Sequence, residues 1–298
     1  MKDVAGKTAF ITGGASGVGL GLAQVFSKAG MKVIIADIRQ DHLDAAMKSL
    51  SDIGAQAHPV QVDVADRQSV ADAADEAERV FGPVHVLCNN AGVNLFGPMD
   101  EASYDDWDWV LGVNLGGVVN GIHTFIPRMK AHGEGGHIIN TASMASFIAG
   151  PGAGIYTTAK FAVRGLSETL RYHVAEYNIG VSVLCPGLVK STIYESEKVR
   201  PEHLSGSKGP VNEEFMARLK DVHEYGMDPV EVGEKTLKAL KRGDFYIFPH
   251  PEFKEELRGI FDEILAAFPD EEPDPDRLAF EEDRRRRLAE AKAKLPKG

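Results

Sequence analysis

Short apolar runs alternate with longer helical stretches along most of this chain, and this alternation restricts its fold more than any other feature. The runs are rich in β-branched residues and contain few polar positions, which is typical of parallel strands covered on both faces. The alternation favours a doubly wound α/β fold with right-handed crossovers. We predict seven strands, at residues 8–11, 33–36, 58–62, 84–88, 137–141, 181–184 and 245–248. We predict helices between them at 19–29, 42–53, 67–81, 104–129, 156–177 and 229–241.

Two regions depart from this alternation. Residues 187–228 form a long insert after the sixth strand, and a loop of that length in a compact domain is typical of a lid or a substrate wall. We therefore predict one domain over 1–250 that carries this insert, followed by a C-terminal helical extension over 251–298. The extension is predicted as a helix at 253–268, an acidic proline-rich linker at 269–276 and a charged helix at 277–294.

Charge and hydropathy exclude several classes of partner. The net charge is −11, so the phosphate backbone of a nucleic acid would be repelled. We see no apolar run near the ~20 residues that a bilayer requires and no apolar leader, so we expect a cytoplasmic protein with no membrane contact. The basic run 284–287 lies among acidic residues and is typical of a solvated helix face. Cys88 and Cys185 follow apolar runs, which indicates small buried side chains rather than a disulfide or a metal site.

A glycine-rich turn lies between the first strand and the first helix, with the sequence Thr12-Gly13-Gly14-Ala15-Ser16-Gly17-Val18-Gly19. Glycines allow the backbone to approach a pyrophosphate, and a helix N-terminus offers free N–H groups and the positive end of a dipole. A simple tight turn is the alternative, but the position of this turn favours a Rossmann-type dinucleotide site. The expected contacts are Gly13, Ser16, Gly17, Val18 and Gly19.

The choice of dinucleotide depends on Asp37, which ends the second strand 24 residues after Gly13. A carboxylate there accepts hydrogen bonds from the adenosine ribose and repels a 2′-phosphate. Ser16 is neutral at a position where a cation could have balanced that phosphate. Arg39 argues the other way, because its guanidinium could reach a phosphate. We predict NAD, with NADP as the less favoured cofactor; a turn-forming role for Asp37 is the structural alternative.

Two further strand ends carry candidate cofactor residues. Asp63 closes the third strand and could meet the adenine amino group while Val64 packs on the ring; an ordinary strand-end cap is the alternative. Asn89-Asn90-Ala91-Gly92 follows the fourth strand. The Asn90 side chain either connects neighbouring strand ends or contacts the cofactor, and Ala91 and Gly92 leave room for it.

Tyr156 and Lys160 are four residues apart at the start of a predicted helix, so their side chains share one helix face. A phenol has a pKa near ~10, and a nearby ammonium favours the phenolate. Tyr156 could then exchange a proton with a substrate oxygen. Ser143 lies just past the fifth strand, 13 residues before Tyr156, where its hydroxyl could bind that oxygen. Ser146 is its rival on spacing alone.

Asn114 lies inside a predicted helix, although asparagine has a low helix propensity. It either orders a water that links Lys160 to solvent or marks a local irregularity.

These motifs together resemble the short-chain dehydrogenase/reductase family in its form of about 250 residues, over residues 8–192. The resemblance implies a catalytic tetrad of Asn114, Ser143, Tyr156 and Lys160, with Lys160 also holding the nicotinamide ribose. It further implies cofactor contacts from Pro186, Gly187 and the backbone of Val189. The family has a threonine shortly after that valine, and here Ser191 and Thr192 are both candidates. Family members commonly form homodimers or homotetramers through the helices predicted here at 104–129 and 156–177.

Three further stretches give a narrower resemblance, at 104–109, 223–229 and 246–252. They are similar to bacterial Cα-dehydrogenases that oxidise benzylic alcohols of lignin-derived β-aryl ethers. The resemblance narrows the subfamily, while the large apolar and aromatic side chains around the site and the length of the insert predict a bulky aromatic secondary alcohol or its ketone as substrate. A steroid-like or other hydrophobic alcohol is the alternative, and a catalytically silent NAD-sensing scaffold is a remote one, since such a protein would have lost part of the tetrad.

Large side chains near the strand ends and in the insert are candidates for the substrate wall, although each could simply pack the insert onto the body. The candidates are Asn94, Leu95, Phe96, Met144, Phe147, Leu188, Tyr194, Phe215 and Tyr225.

Overall fold

One parallel sheet of seven strands forms the centre of the molecule, in the order β3-β2-β1-β4-β5-β6-β7. The computed structural model describes residues 1–205 and 213–296, with Glu213, Phe215 and Met216 described by their backbone only. Every strand pair is parallel. The strands are β1 Thr8–Thr12, β2 Lys32–Asp37, β3 Ala57–Gln61, β4 Val84–Asn89, β5 Gly136–Thr141, β6 Ile179–Leu184 and β7 Tyr246–Ile247.

Helices cover both faces of the sheet, and two further helices extend beyond it. They are α1 Gly17–Lys28, α2 Gln40–Asp52, α3 Arg67–Phe81, α4 Tyr104–Leu111, α5 Gly117–His132, α6 Gly154–Val174, α7 Glu213–Glu224, α8 Pro229–Arg242, α9 Lys254–Ala266 and α10 Pro275–Ala293.

Successive side chains of β2 show why both faces need cover. Val33 and Ile35 pack with the helix side that includes Phe26 of α1, whereas Ile34 packs on the other face with Phe125 of α5. These five side chains are all fully buried. A strand that is apolar on both faces is stable only between two helical layers, so the predicted doubly wound fold is confirmed.

The boundaries of the seven strands differ from the predicted ones by two residues at most. Two other predictions need correction. The helix predicted at 104–129 is interrupted, because a π-helical turn over Gly112–Gly116 separates α4 from α5. The insert at 187–228 is more than a loop, since it contains short 3₁₀ segments at Ile193–Val199 and Glu202–Leu204 and then α7.

Residues 104–132 are long and apolar enough to cross a membrane by length and composition alone, contrary to our reading of the sequence. In the fold this stretch is a core element. Phe125 and Met129 are buried against the sheet, and the Phe10 and Phe125 rings lie 4.7 Å apart between centroids. Part of the apolar character of the stretch therefore reflects packing against the sheet.

The C-terminal extension is helical, as predicted, and it lies largely in solvent. Large apolar side chains in and just after α9 are exposed, among them Phe261, Ile264 and Phe268.

Candidate active site

The carboxyl ends of the central strands open into a cavity of about 760 Å³. Gly13 after β1, Asn90 after β4, Thr141 at the end of β5 and Pro186 after β6 all line it. The strand order reverses direction between β1 and β4, and such a switch point leaves a crevice beyond the strand ends. The cavity therefore lies where a doubly wound sheet binds ligands.

The glycine-rich turn forms one wall of this cavity. Gly13 has a φ of +60°, and a Cβ there would lie 2.9 Å from the Cα of Ala91, so only glycine fits. Ser16 occupies the N-cap position of α1, but its side chain makes no hydrogen bond to the first turn. The N–H of Leu20 makes the first backbone hydrogen bond of the helix. The N–H groups of the first turn, beside Gly17 and Val18, are thus left for an anionic ligand.

Gly19 was predicted to contact the cofactor, but it does not line the cavity. A Cβ at Gly19 would lie 2.0 Å from the carbonyl oxygen of Gly13. Its absent side chain therefore allows α1 to pack closely against the turn.

Asp37 lies on the cavity wall at the end of β2. Its carboxylate accepts hydrogen bonds from the N–H of Arg39 at 3.1 Å and the N–H of Ala15 at 3.4 Å. Burial raises the pKa of this carboxyl above its usual value, while these N–H groups oppose the rise. The carboxylate thus stabilises the turn and also faces the cavity, so the turn-forming role and the cofactor-binding role predicted for Asp37 are compatible.

The other predicted cofactor residues at strand ends also line the cavity: Asp63, Val64, Asn90, Ala91 and Gly92. The Asn90 amide donates to the carbonyl oxygens of Thr12 at 3.1 Å and Gly13 at 3.3 Å, and it accepts from the Thr141 hydroxyl at 3.2 Å. The Asn90 side chain therefore connects the ends of β1, β4 and β5.

Lys160 lies on α6, where its side chain is buried and lines the cavity. Its ammonium donates to the carbonyl oxygen of Thr141 at 2.9 Å and lies 5.4 Å from the centroid of the Tyr156 ring. Burial lowers the pKa of Lys160 to about 8. An ammonium with a lowered pKa can pass a proton near neutral pH.

The Tyr156 phenol lines the same cavity. Burial raises the pKa of Tyr156, and a hydrogen bond with Ser143 opposes that rise. Desolvation of the phenolate therefore outweighs the hydrogen bond from Ser143, and the predicted influence of the Lys160 ammonium on Tyr156 stays a prediction.

The structure separates Ser143 from its rival Ser146. Ser143 lines the cavity, where its hydroxyl accepts from the Ala145 N–H at 3.1 Å. Ser146 is fully buried and donates to the carbonyl oxygen of Ser143. Only Ser143 can therefore meet a ligand.

Asn114 lies in the π-helical turn and is fully buried. Its amide makes paired hydrogen bonds with Val93, accepting from the N–H at 2.8 Å and donating to the carbonyl at 2.9 Å. A Cβ added at Gly92 would lie 3.2 Å from Asn114 Oδ1 and 3.5 Å from Lys160 Nζ. The irregularity and the active-site placement thus occur together, as is frequent for π-helical turns.

The turn after β6 is held by a residue that our sequence analysis missed. His250, which follows β7, accepts a hydrogen bond from the N–H of Gly187 at 3.0 Å, and its other ring nitrogen lies 3.0 Å from the carbonyl oxygen of Leu188. No local pattern predicts this contact, because the two segments are 63 residues apart.

Beyond this turn, the neighbours of Val189 bond to Met227, with Lys190 donating to its carbonyl and Leu188 accepting from its N–H. Within the described residues, the N–H and C=O of Val189 itself remain available to a ligand. Ser191 and Thr192 both line the cavity, so the choice between them stays open.

The insert and α4 supply a second part of the cavity wall, which we call the far end. Phe96 and Leu188 line it, as predicted. Sequence reasoning missed further lining residues, which come from α4, the π-helical turn and the insert: Asp108, Trp109, Gly112, Val199, Pro201, His203, Leu204, Leu219, Val222 and His223.

Several residues predicted to line the substrate wall lie elsewhere. Met144 and Phe147 are buried in the core, and the Phe147 ring packs 4.0 Å from the Arg164 guanidinium. The reason is that the 3₁₀ turn after Ser143 directs them away from the cavity. The Tyr194 ring packs against His223 without lining the cavity.

Two more candidates from the wall also fail to reach the cavity. Leu95 packs against the cluster around Trp109, and Tyr225 is 89% exposed. The side chain of Phe215 falls outside the described part of the chain.

Arg200 attaches the insert to α4. Its guanidinium is almost fully buried, lies 2.6 Å from the Asp106 carboxylate and stands 4.9 Å over the Trp109 ring. This ion pair places Val199 and Pro201 on the cavity wall.

Residues 7–202 match the family model described as short chain dehydrogenase. The chain belongs to this family. It is an oxidoreductase of the dehydrogenase type, and its Rossmann-type sheet is the fold of solved family members. The chain is similar to the C alpha-dehydrogenase of Sphingobium sp., with 43% identity over 93% of this chain and 91% of that protein.

Two solved structures are similar over nearly the full length. A putative short-chain dehydrogenase from Novosphingobium aromaticivorans has a TM-score of 0.85 and 50% identity, covering 99% of each chain. A short chain dehydrogenase/reductase from Burkholderia phymatum, solved in complex with NAD, has a TM-score of 0.85 and 36% identity. It covers 92% of this chain and 99% of that one. The uncapped N-terminus of α1, the Asp37 carboxylate and the available backbone of Val189 fit a nicotinamide dinucleotide.

Proposed function

We propose that this protein is an NAD-dependent dehydrogenase that interconverts a bulky aromatic secondary alcohol, of the benzylic type, and its ketone. The observation that carries the proposal is that Tyr156 and Ser143 face one cavity. The part of its wall at the glycine-rich turn fits a dinucleotide, and the far end is formed by the insert and α4.

The glycine-rich turn, Asp37 and Lys160 would hold NAD, which would supply a hydride acceptor for oxidation of the carbinol carbon and, in its reduced form, a hydride donor for the ketone. Tyr156 takes the hydroxyl proton during oxidation and returns a proton during reduction. Ser143 holds the substrate oxygen with its hydroxyl, which stabilises developing negative charge there. Each turnover thus moves one hydride and one proton, so charge and atoms balance.

Lys160 and Asn114 support the proton transfer. The lowered pKa of Lys160, about 8, allows it to exchange protons with Tyr156 and solvent. Asn114 is fixed by both of its bonds to Val93, so its side chain positions the π-helical turn beside Lys160. We assign Lys160 the additional role of binding the nicotinamide ribose.

The substrate class rests on the far end of the cavity. Leu188, Leu204 and Val222 present apolar surface there, which suits an aromatic ring. Asn94 also lines this space, and its Oδ1 is buried without a hydrogen-bond partner among the described residues. An unpaired buried carbonyl oxygen costs about 1–3 kcal/mol, and a hydroxyl on the substrate would satisfy it. The similarity to a C alpha-dehydrogenase supports the same class.

A substrate panel tests the proposal. Initial rates with NAD are measured for a 1-aryl-1,3-propanediol, a hydroxysteroid and 2-butanol, by absorbance of the reduced nicotinamide. We expect the highest kcat/KM for the aryl alcohol. A higher value for the hydroxysteroid favours the steroid-like alternative, and an equal or higher value for 2-butanol contradicts the proposed substrate class.

A further inference from the structure

The turn after β2 and the insert meet at one ion pair on the rim of the cavity. Arg39 Nη1 lies 3.3 Å from Glu195 Oε2, although the two residues are 156 positions apart. Both side chains line the cavity beside Asp37. The contact therefore joins the part of the site that meets the adenosine ribose to the segment that walls the substrate.

Arg39 is held from two sides. Its Nη2 lies 2.5 Å from Asp41 Oδ2 and its Nε 3.1 Å from Asp41 Oδ1, so Asp41 binds the outer edge of the guanidinium. Glu195 binds the remaining Nη1 and is itself fixed by Lys198 at 2.8 Å. Bidentate pairing of this kind fixes the plane of a guanidinium.

These contacts make the Arg39 guanidinium unavailable to a 2′-phosphate. Arg39 is the arginine on the β2–α2 turn that could pair with such a phosphate, and both of its edges are already bound by carboxylates. Glu195 also adds a second negative charge to that of Asp37 on this rim. Like charges a few ångströms apart repel, most strongly where solvent is partly excluded.

We infer that Glu195 is a second determinant of the preference for NAD over NADP, acting by holding Arg39 away from a 2′-phosphate and by repelling that phosphate. Glu195 belongs to the insert, so cofactor selection depends on the insert lying over the site. The inference rests on the proposed function in requiring that the protein binds a nicotinamide dinucleotide and prefers NAD to NADP.

The test uses Glu195→Gln, which keeps the shape of the side chain and removes its charge. Glu197→Gln is the matched control, because Glu197 lies on the same 3₁₀ segment but pairs with Arg200 at 3.3 Å. The double variant Arg39→Met/Glu195→Gln removes the cation as well. Binding of NADH and NADPH is measured by fluorescence titration without substrate, and thermal melts compare the folding of all the variants.

For Glu195→Gln we expect the ratio of the NADPH and NADH dissociation constants to fall about tenfold, which is ~1.4 kcal/mol. Glu197→Gln should leave the ratio within about twofold. In the double variant, most of this gain in relative affinity for NADPH should disappear. An unchanged ratio in Glu195→Gln, an equal change in Glu197→Gln, or a gain that persists in full without Arg39 overturns the inference. Absence of any dinucleotide binding by the unmodified protein overturns the proposed function instead.

Discussion

The two ends of the cavity are held in place by different kinds of contact. At the cofactor end, Gly13, Asn90 and Thr141 lie directly at the ends of paired strands, and the Asn90 amide bonds these ends together. At the substrate end, the insert is attached through side chains, chiefly the ion pairs of Arg200 with Asp106 and of Arg39 with Glu195. Changes at the strand ends should therefore alter chemistry and cofactor choice, whereas changes in the insert, apart from the contact of Glu195 with Arg39, should alter substrate binding.

The largest expected effect is at the strand-end site. Tyr156→Phe should reduce kcat by about 10²–10⁴-fold, because the ring still fills its space but carries no exchangeable proton. NADH binding, measured by fluorescence titration, should stay within about threefold of the unmodified protein. A variant that keeps a tenth or more of the turnover contradicts the proton-transfer role of Tyr156.

The pH dependence should differ between the two directions. Burial holds the pKa of Tyr156 above its usual value, so near neutral pH the phenol is protonated and ready to donate to a ketone. Alcohol oxidation needs the phenolate, whose fraction rises roughly tenfold per pH unit below the pKa. We expect kcat/KM for oxidation to rise between pH 7 and 9, and for reduction to stay level or fall, in initial-rate profiles. An oxidation rate that falls over that interval excludes this assignment.

Arg200→Met tests the attachment of the insert. Removing one partner of a buried ion pair costs about 3–5 kcal/mol locally, since the Asp106 charge is left without its partner. We expect the KM of an aromatic ketone to rise about tenfold or more, while the dissociation constant of NADH changes less than about threefold. Arg258→Met, on the exposed surface of α9, is the control and should change neither. Equal losses of ketone and cofactor binding would show that the two ends do not respond separately.

Asp37→Ser should narrow the preference for NAD by about tenfold, because the carboxylate that repels a 2′-phosphate is gone. Asp63→Ser removes the same charge from the neighbouring strand end and should weaken both dinucleotides equally. Steady-state kinetics with NAD and NADP measure both effects. A preference for NADP in the unmodified protein would show that Asp37 does not control the choice.

The smallest effects separate a wall residue from a core residue. Leu188→Ala should raise the KM of an aromatic ketone a few-fold, because Leu188 lines the cavity. Phe147→Leu should leave that KM within about twofold while lowering the free energy of unfolding by about 1–3 kcal/mol in urea titrations. A larger change in KM for Phe147→Leu would show that Phe147 contributes to the substrate wall.

The amino-acid sequence by itself determined the sheet, the glycine-rich turn and the strand-end positions of Asp37, Ser143 and Asn90. These features depend on local rules, since period, glycine placement and the end of each strand are encoded by neighbouring residues. A parallel sheet then brings all its carboxyl ends to one edge, so residues at strand ends converge without further information.

Only the tertiary structure decided between Ser143 and Ser146, placed Phe147 in the core and brought Glu195 to Arg39. Spacing alone leaves both serines eligible, and the direction of the 3₁₀ turn after β5 decides which one faces the cavity. The insert is positioned by ion pairs between residues far apart in the chain, and such pairs leave no periodic pattern to read. The contacts of Arg39 and His250 form only because the fold brings distant segments together, so the sequence could not predict them.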